Sequence, residues 1–109
     1  MITVGTLIKC KTTTLENTFG EVVYEITKAG MPAPERERAG QNDGVIATML
    51  GGNGPAARKG FTVVDSVWSI EKDIQDGKTE ILPSEKKEAI VAYYDALDKQ
   101  KKAEREVGM

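Results

Sequence analysis

Apolar and polar positions alternate from Ile2 to Cys10, with Ile2, Val4, Thr6, Ile8 and Cys10 on one side and Lys9 and Lys11 at the outer rim. A period of two predicts a β-strand with its apolar face turned inward. Phe19–Thr27 predicts a second, half-exposed strand: Val22, Tyr24 and Ile26 share one face, and Glu21, Val23 and Glu25 the other. Lys28–Asp43 has no apolar period; it holds Pro32, Pro34 and the mixed-charge string Glu35-Arg36-Glu37-Arg38, and reads as a long surface loop. Val45–Leu50 is the third predicted strand. Phe61–Ile70 is the fourth, apolar on both sides (Phe61, Val63 and Val67 against Val64, Trp68 and Ile70), as a central or bent strand would be. Asp65-Ser66 interrupts both series at one point, which predicts a bulge or sharp bend. Asp76-Gly77 is a turn signal, and Thr79–Leu82 pairs back as a short last strand.

After Pro83 the period changes. Ser84 is placed as an N-cap, Glu85 follows in the first turn, and helix-forming residues run to about Glu106. Ile90, Tyr93, Tyr94 and Leu97 stand at i, i+3, i+4 and i+7, an apolar stripe of about two turns. Beyond it, Asp95/Lys99 and Asp98/Lys102 have the i,i+4 spacing of intrahelical ion pairs. The first half of the helix is therefore expected to pack on the sheet. Gln100–Met109 is expected to project, with Lys99–Lys102 as a solvated face. Should the sheet leave Tyr93, Tyr94 and Leu97 uncovered, that stripe is a dimer surface, so the expected state is a monomer or a homodimer. The fold class that follows is mainly β with a C-terminal helix. One domain spans residues 1–109: a small, strongly curved five-stranded barrel over 1–82 and a helix over 83–107.

At 109 residues and 39% hydrophobic content, the chain can bury a modest core without disulfides or a structural metal. Cys10 is the only cysteine, so no bridge can close within the chain; it stands on an alternating face and reads as a core thiol. With no charged-then-apolar leader at the start, the expected compartment is the cytoplasm. No apolar run approaches the roughly 18 residues of a membrane-spanning helix. Histidine is absent, which excludes Ser-His-Asp and Cys-His catalysis and histidine-based zinc sites. Remaining catalytic groups would be Asp65 with Asp73 or Glu71, or Lys59, and no spacing pairs them. We therefore expect a protein that is not an enzyme, with no cofactor and no metal. Net charge is −2, and no segment is strongly basic, so avid nonspecific binding to duplex nucleic acid is not expected.

The stretch least explained by packing is Gly51–Gly60, four glycines with Arg58 and Lys59 between two apolar runs. Glycines let backbone N–H groups turn outward, and the two cations add fixed charge, so Gly52, Asn53, Gly54, Arg58 and Lys59 form a candidate anion- or partner-binding loop. Gly60 follows Lys59 where a phosphate-binding loop needs a hydroxyl, and a strand rather than a helix follows, so neither familiar nucleotide-binding pattern is met. The alternative role for these glycines is conformational, satisfying left-handed backbone angles in a long hairpin connection. A second candidate surface comprises Arg36 and Arg38 of the long loop and Asp73 and Asp76. These two carboxylates belong to an acidic strip that also takes in Asp65, Glu71 and Glu80, in a segment (residues 61–82) of five acidic against two basic side chains.

Val4-Gly5-Thr6-Leu7-Ile8-Lys9-Cys10 and Phe19-Gly20-Glu21-Val22-Val23-Tyr24-Glu25-Ile26, with a glycine entering two valines, resemble an SH3-like small barrel of the KOW type over roughly the first 82 residues. The resemblance implies a module that binds RNA or protein. With no catalytic constellation, the expected function is a non-catalytic protein-interaction module. By analogy it is similar to the small accessory proteins of phages and mobile elements, some of which inhibit a host system. The alternative is binding of nucleotide, RNA or DNA phosphate through the loop at 51–60.

Overall fold

The computed structural model describes residues 2–11, 20–34, 40–54 and 57–108. The elements are β1 (Leu7–Lys11), β2 (Glu21–Met31), β3 (Gly44–Gly52), β4 (Thr62–Ser66), α1 (Val67–Gln75), β5 (Thr79–Leu82) and α2 (Lys87–Glu106), the last entered through a 3-10 turn at Ser84–Lys86. The strands form one antiparallel sheet in the order β4-β3-β2-β1-β5. It is curved but unclosed: β4 and β5 are not paired, and α1 packs against both. A mainly-β domain with a C-terminal helix is therefore what forms.

The fourth strand departs most from expectation. It ends at Ser66, and Val67–Ile70 begins a helix. Ser66 is fully buried and its Oγ accepts the Ser69 N–H at 3.1 Å, an N-cap. Asp43, just before the neighbouring strand β3, secures the same helix start, its carbonyl accepting the Val67 N–H at 2.8 Å and its carboxylate the Trp68 N–H at 3.2 Å. The Asp65-Ser66 interruption is thus a strand-to-helix junction. α1 sends Ile70 into the core and leaves Trp68 on the surface.

The sheet's bends lie instead between β2 and β3, whose register shifts at Val23/Tyr24, Ile26/Lys28 and Lys28/Met31. The first shift gives Leu50 no partner and leaves Leu50 and Gly51 both on the face opposite Met49. β2 is also longer than its apolar pattern: Lys28 pairs with Ile46 and Met31 with Gly44, so the expected loop over 28–43 is a strand extension for its first four residues. At the chain start, β1 begins only at Leu7, and Val4 is exposed rather than inward.

Two apolar clusters result, one on each face. The larger holds Ile8, Val22, Tyr24, Ile26, Val45, Met49 and Ile70. The smaller joins Leu7, Val23 and Leu50 to Tyr94 of α2, with Leu82, Ile90, Val91 and Leu97 packed around it. The apolar stripe of α2 is therefore covered by the sheet, save Tyr93, which stays 62% exposed with its ring edge-on to Tyr94 at 5.1 Å. This removes the condition for a dimer through that stripe. Among the described residues no helix is long and apolar enough to cross a membrane.

Candidate functional site

The glycine-rich segment is only in part a loop. Gly51 and Gly52 end β3 and are buried, and neither has a left-handed backbone; of the four glycines only Gly60 does, at φ +92°. What Gly51 supplies is closeness. A Cβ there would collide with the Tyr94 side chain, so its lack of a side chain lets α2 lie directly on β3. A Cβ on Gly52 would meet Val22 Cγ1 at 2.5 Å and Ala57 Cβ at 2.8 Å, and Ala57 is itself a core residue. The conformational role expected for these glycines thus holds at Gly60, while Gly51 and Gly52 serve packing.

Backbone groups in this segment are committed to the fold. The Asn53 side chain accepts the Glu21 N–H at 2.8 Å while the Asn53 N–H donates to the Glu21 carbonyl at 3.0 Å, continuing the β2–β3 ladder by one step. The Ala57 N–H donates to the Gly54 carbonyl at 3.3 Å, and the Arg58 N–H to Met49 Sδ at 3.3 Å. It is carbonyls, not N–H groups, that meet a charge here: Lys101 Nζ of α2 donates to the Gly54 carbonyl at 3.0 Å and to that of Gly52 at 3.5 Å. Gly52 and Gly54 thus hold the strand end and its contact with α2, while Asn53 both continues the ladder and lines the groove beside Arg58 and Lys59.

Arg58 and Lys59 are both exposed, and the structure brings them to an open groove of about 810 Å³ between this segment and the second half of α2. Across the groove stand Lys101, Lys102 and Arg105; Asp98 and Glu104 are the carboxylates among its lining residues. Five cations against two carboxylates make it net +3 in a chain of net −2. Lys59 pairs with Asp95 at 3.6 Å, both side chains about half exposed. Arg58, Lys102 and Arg105 have no carboxylate within ion-pair distance among the described residues. Asp95 thus serves Lys59 rather than Lys99, and the Asp98/Lys102 pair anticipated from spacing does not form.

Lys101, Lys102 and Arg105 stood in a stretch that spacing assigned to solvent. The signal that marks them is the stripe itself: Ile90, Tyr94, Leu97, Lys101 and Arg105 continue one helix face at steps of three or four. Where that face runs past the sheet and over the loop, its residues change from apolar to cationic.

Of the other predicted residues, Asp73 and Asp76 lie on and just after α1 and do not line the groove; Asp73 is half-buried, and Asp76 ends the helix with its N–H on the Lys72 carbonyl. Arg36 and Arg38 lie outside the described residues. Cys10 is half-buried beside the larger cluster, its sulfur accepting the Thr79 hydroxyl at 3.5 Å. Burial, aided by the nearby Asp73 and Asp65 carboxylates and only partly offset by the Thr79 bond, pushes its thiol pKa up, which makes it a poor nucleophile. Among the described residues no three His, Cys, Asp or Glu side chains gather as a metal site.

Comparison with family models, curated proteins and solved structures returns no match.

Proposed function

We propose that the chain is a non-catalytic binding module that seats an acidic protein segment in the groove between Asn53, Arg58 and Lys59 on one side and the second half of α2 on the other. The observation that carries this reading is the convergence of Arg58, Lys102 and Arg105, each without an ion-pair partner among the described residues, on one concave surface of a protein whose net charge is negative. Asp98 and Glu104 stand among these cations, a mixed pattern that suits acidic side chains spaced by neutral ones better than an unbroken row of phosphates. Among the described residues no aromatic ring lines the groove, whereas single-stranded nucleic acid is ordinarily held by stacking on such rings beside a basic track.

The second reading, a nucleic-acid or nucleotide phosphate in the same groove, is favoured by one observation, the net charge of +3 on the lining. An SH3-like module is part of the proposal, supported by a four-stranded meander with β5 alongside β1. So is a reducing compartment such as the cytoplasm, supported by a lone, half-buried cysteine.

Fluorescence anisotropy with a labelled peptide alternating Glu with neutral residues and with a labelled 20-nucleotide single strand, each at two salt concentrations, distinguishes the readings. The peptide is expected to bind more tightly than the strand, more weakly at higher salt, and at least about tenfold more weakly to Arg58→Glu/Lys102→Glu/Arg105→Glu. A strand bound more tightly than the peptide transfers the groove to the second reading. Peptide binding untouched by the triple reversal overturns both.

A further inference from the structure

Two of the cations lining the groove are engaged by the protein itself, and the two engagements differ in kind. Lys101 is part of the wall: its ammonium donates to the Gly54 carbonyl at 3.0 Å and to the Gly52 carbonyl at 3.5 Å, backbone groups at and just beyond the end of β3. Lys59 is held by a side chain instead. Asp95 meets its ammonium at 3.6 Å, with 52% of the Lys59 side chain and 46% of the Asp95 side chain exposed. That separation exceeds the roughly 2.7–2.9 Å of a tight charge-assisted hydrogen bond. An ion pair so open to water contributes little, because solvent screens it and holding two long side chains in one geometry costs rotamer freedom.

Asp95 stands three residues before Asp98 on α2, about 4.5 Å nearer the half of the helix that the sheet covers, and it does not itself line the groove. Lys59 does line it, next to Arg58 in the chain. The backbone that carries both cations is fixed. The Arg58 N–H bonds to Met49 Sδ at 3.3 Å, the Arg58 carbonyl accepts the Phe61 N–H at 3.2 Å, and the Met49 carbonyl accepts the Gly60 N–H at 2.8 Å. Lys59 can therefore change partner by side-chain rotation alone, exchanging one carboxylate for another while the strand stays in place.

We propose that Asp95 is a built-in competitor for the groove's ligand: it occupies Lys59 in the free protein, and an acidic segment entering the groove displaces it and takes Lys59 over. This inference rests on the reading of the groove as the seat of an acidic segment. The exchange replaces one carboxylate on Lys59 with another, so Lys59 adds little to affinity while Asp95 is present. Binding then falls mainly to Arg58, Lys102 and Arg105. Asp95 thereby acts against the ligand, as an element of selectivity does. Its removal is expected to strengthen binding. A carboxylate that served only to tie α2 to the segment before β4 would, on removal, loosen the groove and weaken binding instead.

Fluorescence anisotropy of the full chain, with the labelled peptide that alternates Glu with neutral residues, tests this as a double-mutant cycle. Asp95→Asn, nearly isosteric and half exposed, is expected to tighten binding about two- to fivefold while leaving the circular dichroism spectrum unchanged. In a Lys59→Met background the same substitution keeps only the general effect of one negative charge fewer, and its gain is expected to fall to about half or less. Asp95→Asn that binds the peptide no more tightly than wild type, or that gains as much without Lys59 as with it, overturns the inference and leaves the groove as the ligand's seat. A peptide that binds wild type no better than it binds Arg58→Glu/Lys102→Glu/Arg105→Glu overturns the reading of the groove, and this inference with it.

Discussion

One face of the sheet is held by a continuous apolar layer, the other by a close approach and a clamp. On the first, Val22, Ile26, Val45 and Met49 from the two central strands meet Ile70 of α1, and each is 2% exposed or less. α1 is short, but it is tied at its start by the Ser66 side chain and by Asp43. On the second face, α2 is 20 residues long, about 30 Å, yet only Tyr94 among its residues is buried. Its place depends on Gly51, where the missing side chain admits Tyr94, on the Lys87–Glu25 ion pair at 2.9 Å near one end, and on Lys101 bonded to two carbonyls toward the other. A layer of interdigitated apolar side chains cooperates as a unit, whereas a helix held at a few points can loosen without the sheet. The groove is built on the second kind of attachment, which is where a binding surface can adjust to a partner.

The widest gap between the faces should appear on removing bulk from each. Ile26→Ala takes three carbons from a fully buried site and is expected to cost about 3–4 kcal/mol, read as a fall in the urea midpoint that is the same for every probe. Gly51→Val pushes a side chain into Tyr94 and is expected to cost about 2–3 kcal/mol, with a different signature. Amide exchange should quicken along α2 while β2 and β3 keep their protection. Loss of protection in all three together would show that the faces do not separate.

Lys101→Met keeps the stem and removes the ammonium. It is expected to cost about 1 kcal/mol or less, because the side chain is only half-buried, and to speed exchange over residues 53–60 and the last two turns of α2. Unchanged exchange there would mean that the clamp does not order the groove.

The smallest effect is alkaline and touches both faces. Burial raises the pKa of Cys10 above 9.0, and those of Tyr24 and Tyr94 above 10.0, with smaller contributions from neighbouring groups. Each group binds its proton more tightly folded than unfolded. Their stabilisation is therefore complete below the ordinary values and is lost as pH rises through the folded ones. Urea midpoints should hold up to about pH 8.5 and then fall, and Tyr94→Phe should reduce the fall on the α2 side. A midpoint that rises above pH 9 would contradict this.

Alternation alone was enough to place Val22, Tyr24 and Ile26 on one buried face, and the i, i+4, i+7 spacing was enough to bring Ile90, Tyr94 and Leu97 onto the sheet, because local period sets which side chains share a face. Composition was enough to remove histidine chemistry, and the glycine-rich run to single out Arg58 and Lys59. Other features needed contacts from far along the chain. Whether Val67–Ile70 continued as strand or turned to helix depended on Asp43, 25 residues before Trp68, meeting the helix start, and a short apolar run carries no period that separates the two. Whether Gly51 and Gly52 were loop or strand depended on what packed over them, and that was Tyr94 and Ala57.

The groove is the clearest case. Lys101, Lys102 and Arg105 have the composition of a solvated helix end, and they become one side of a cationic surface only because α2 lies across β3 and carries them over Arg58 and Lys59. Local pattern assigned each residue a face. What that face met was decided by the tertiary structure, since charge becomes a site only where separate elements bring it together.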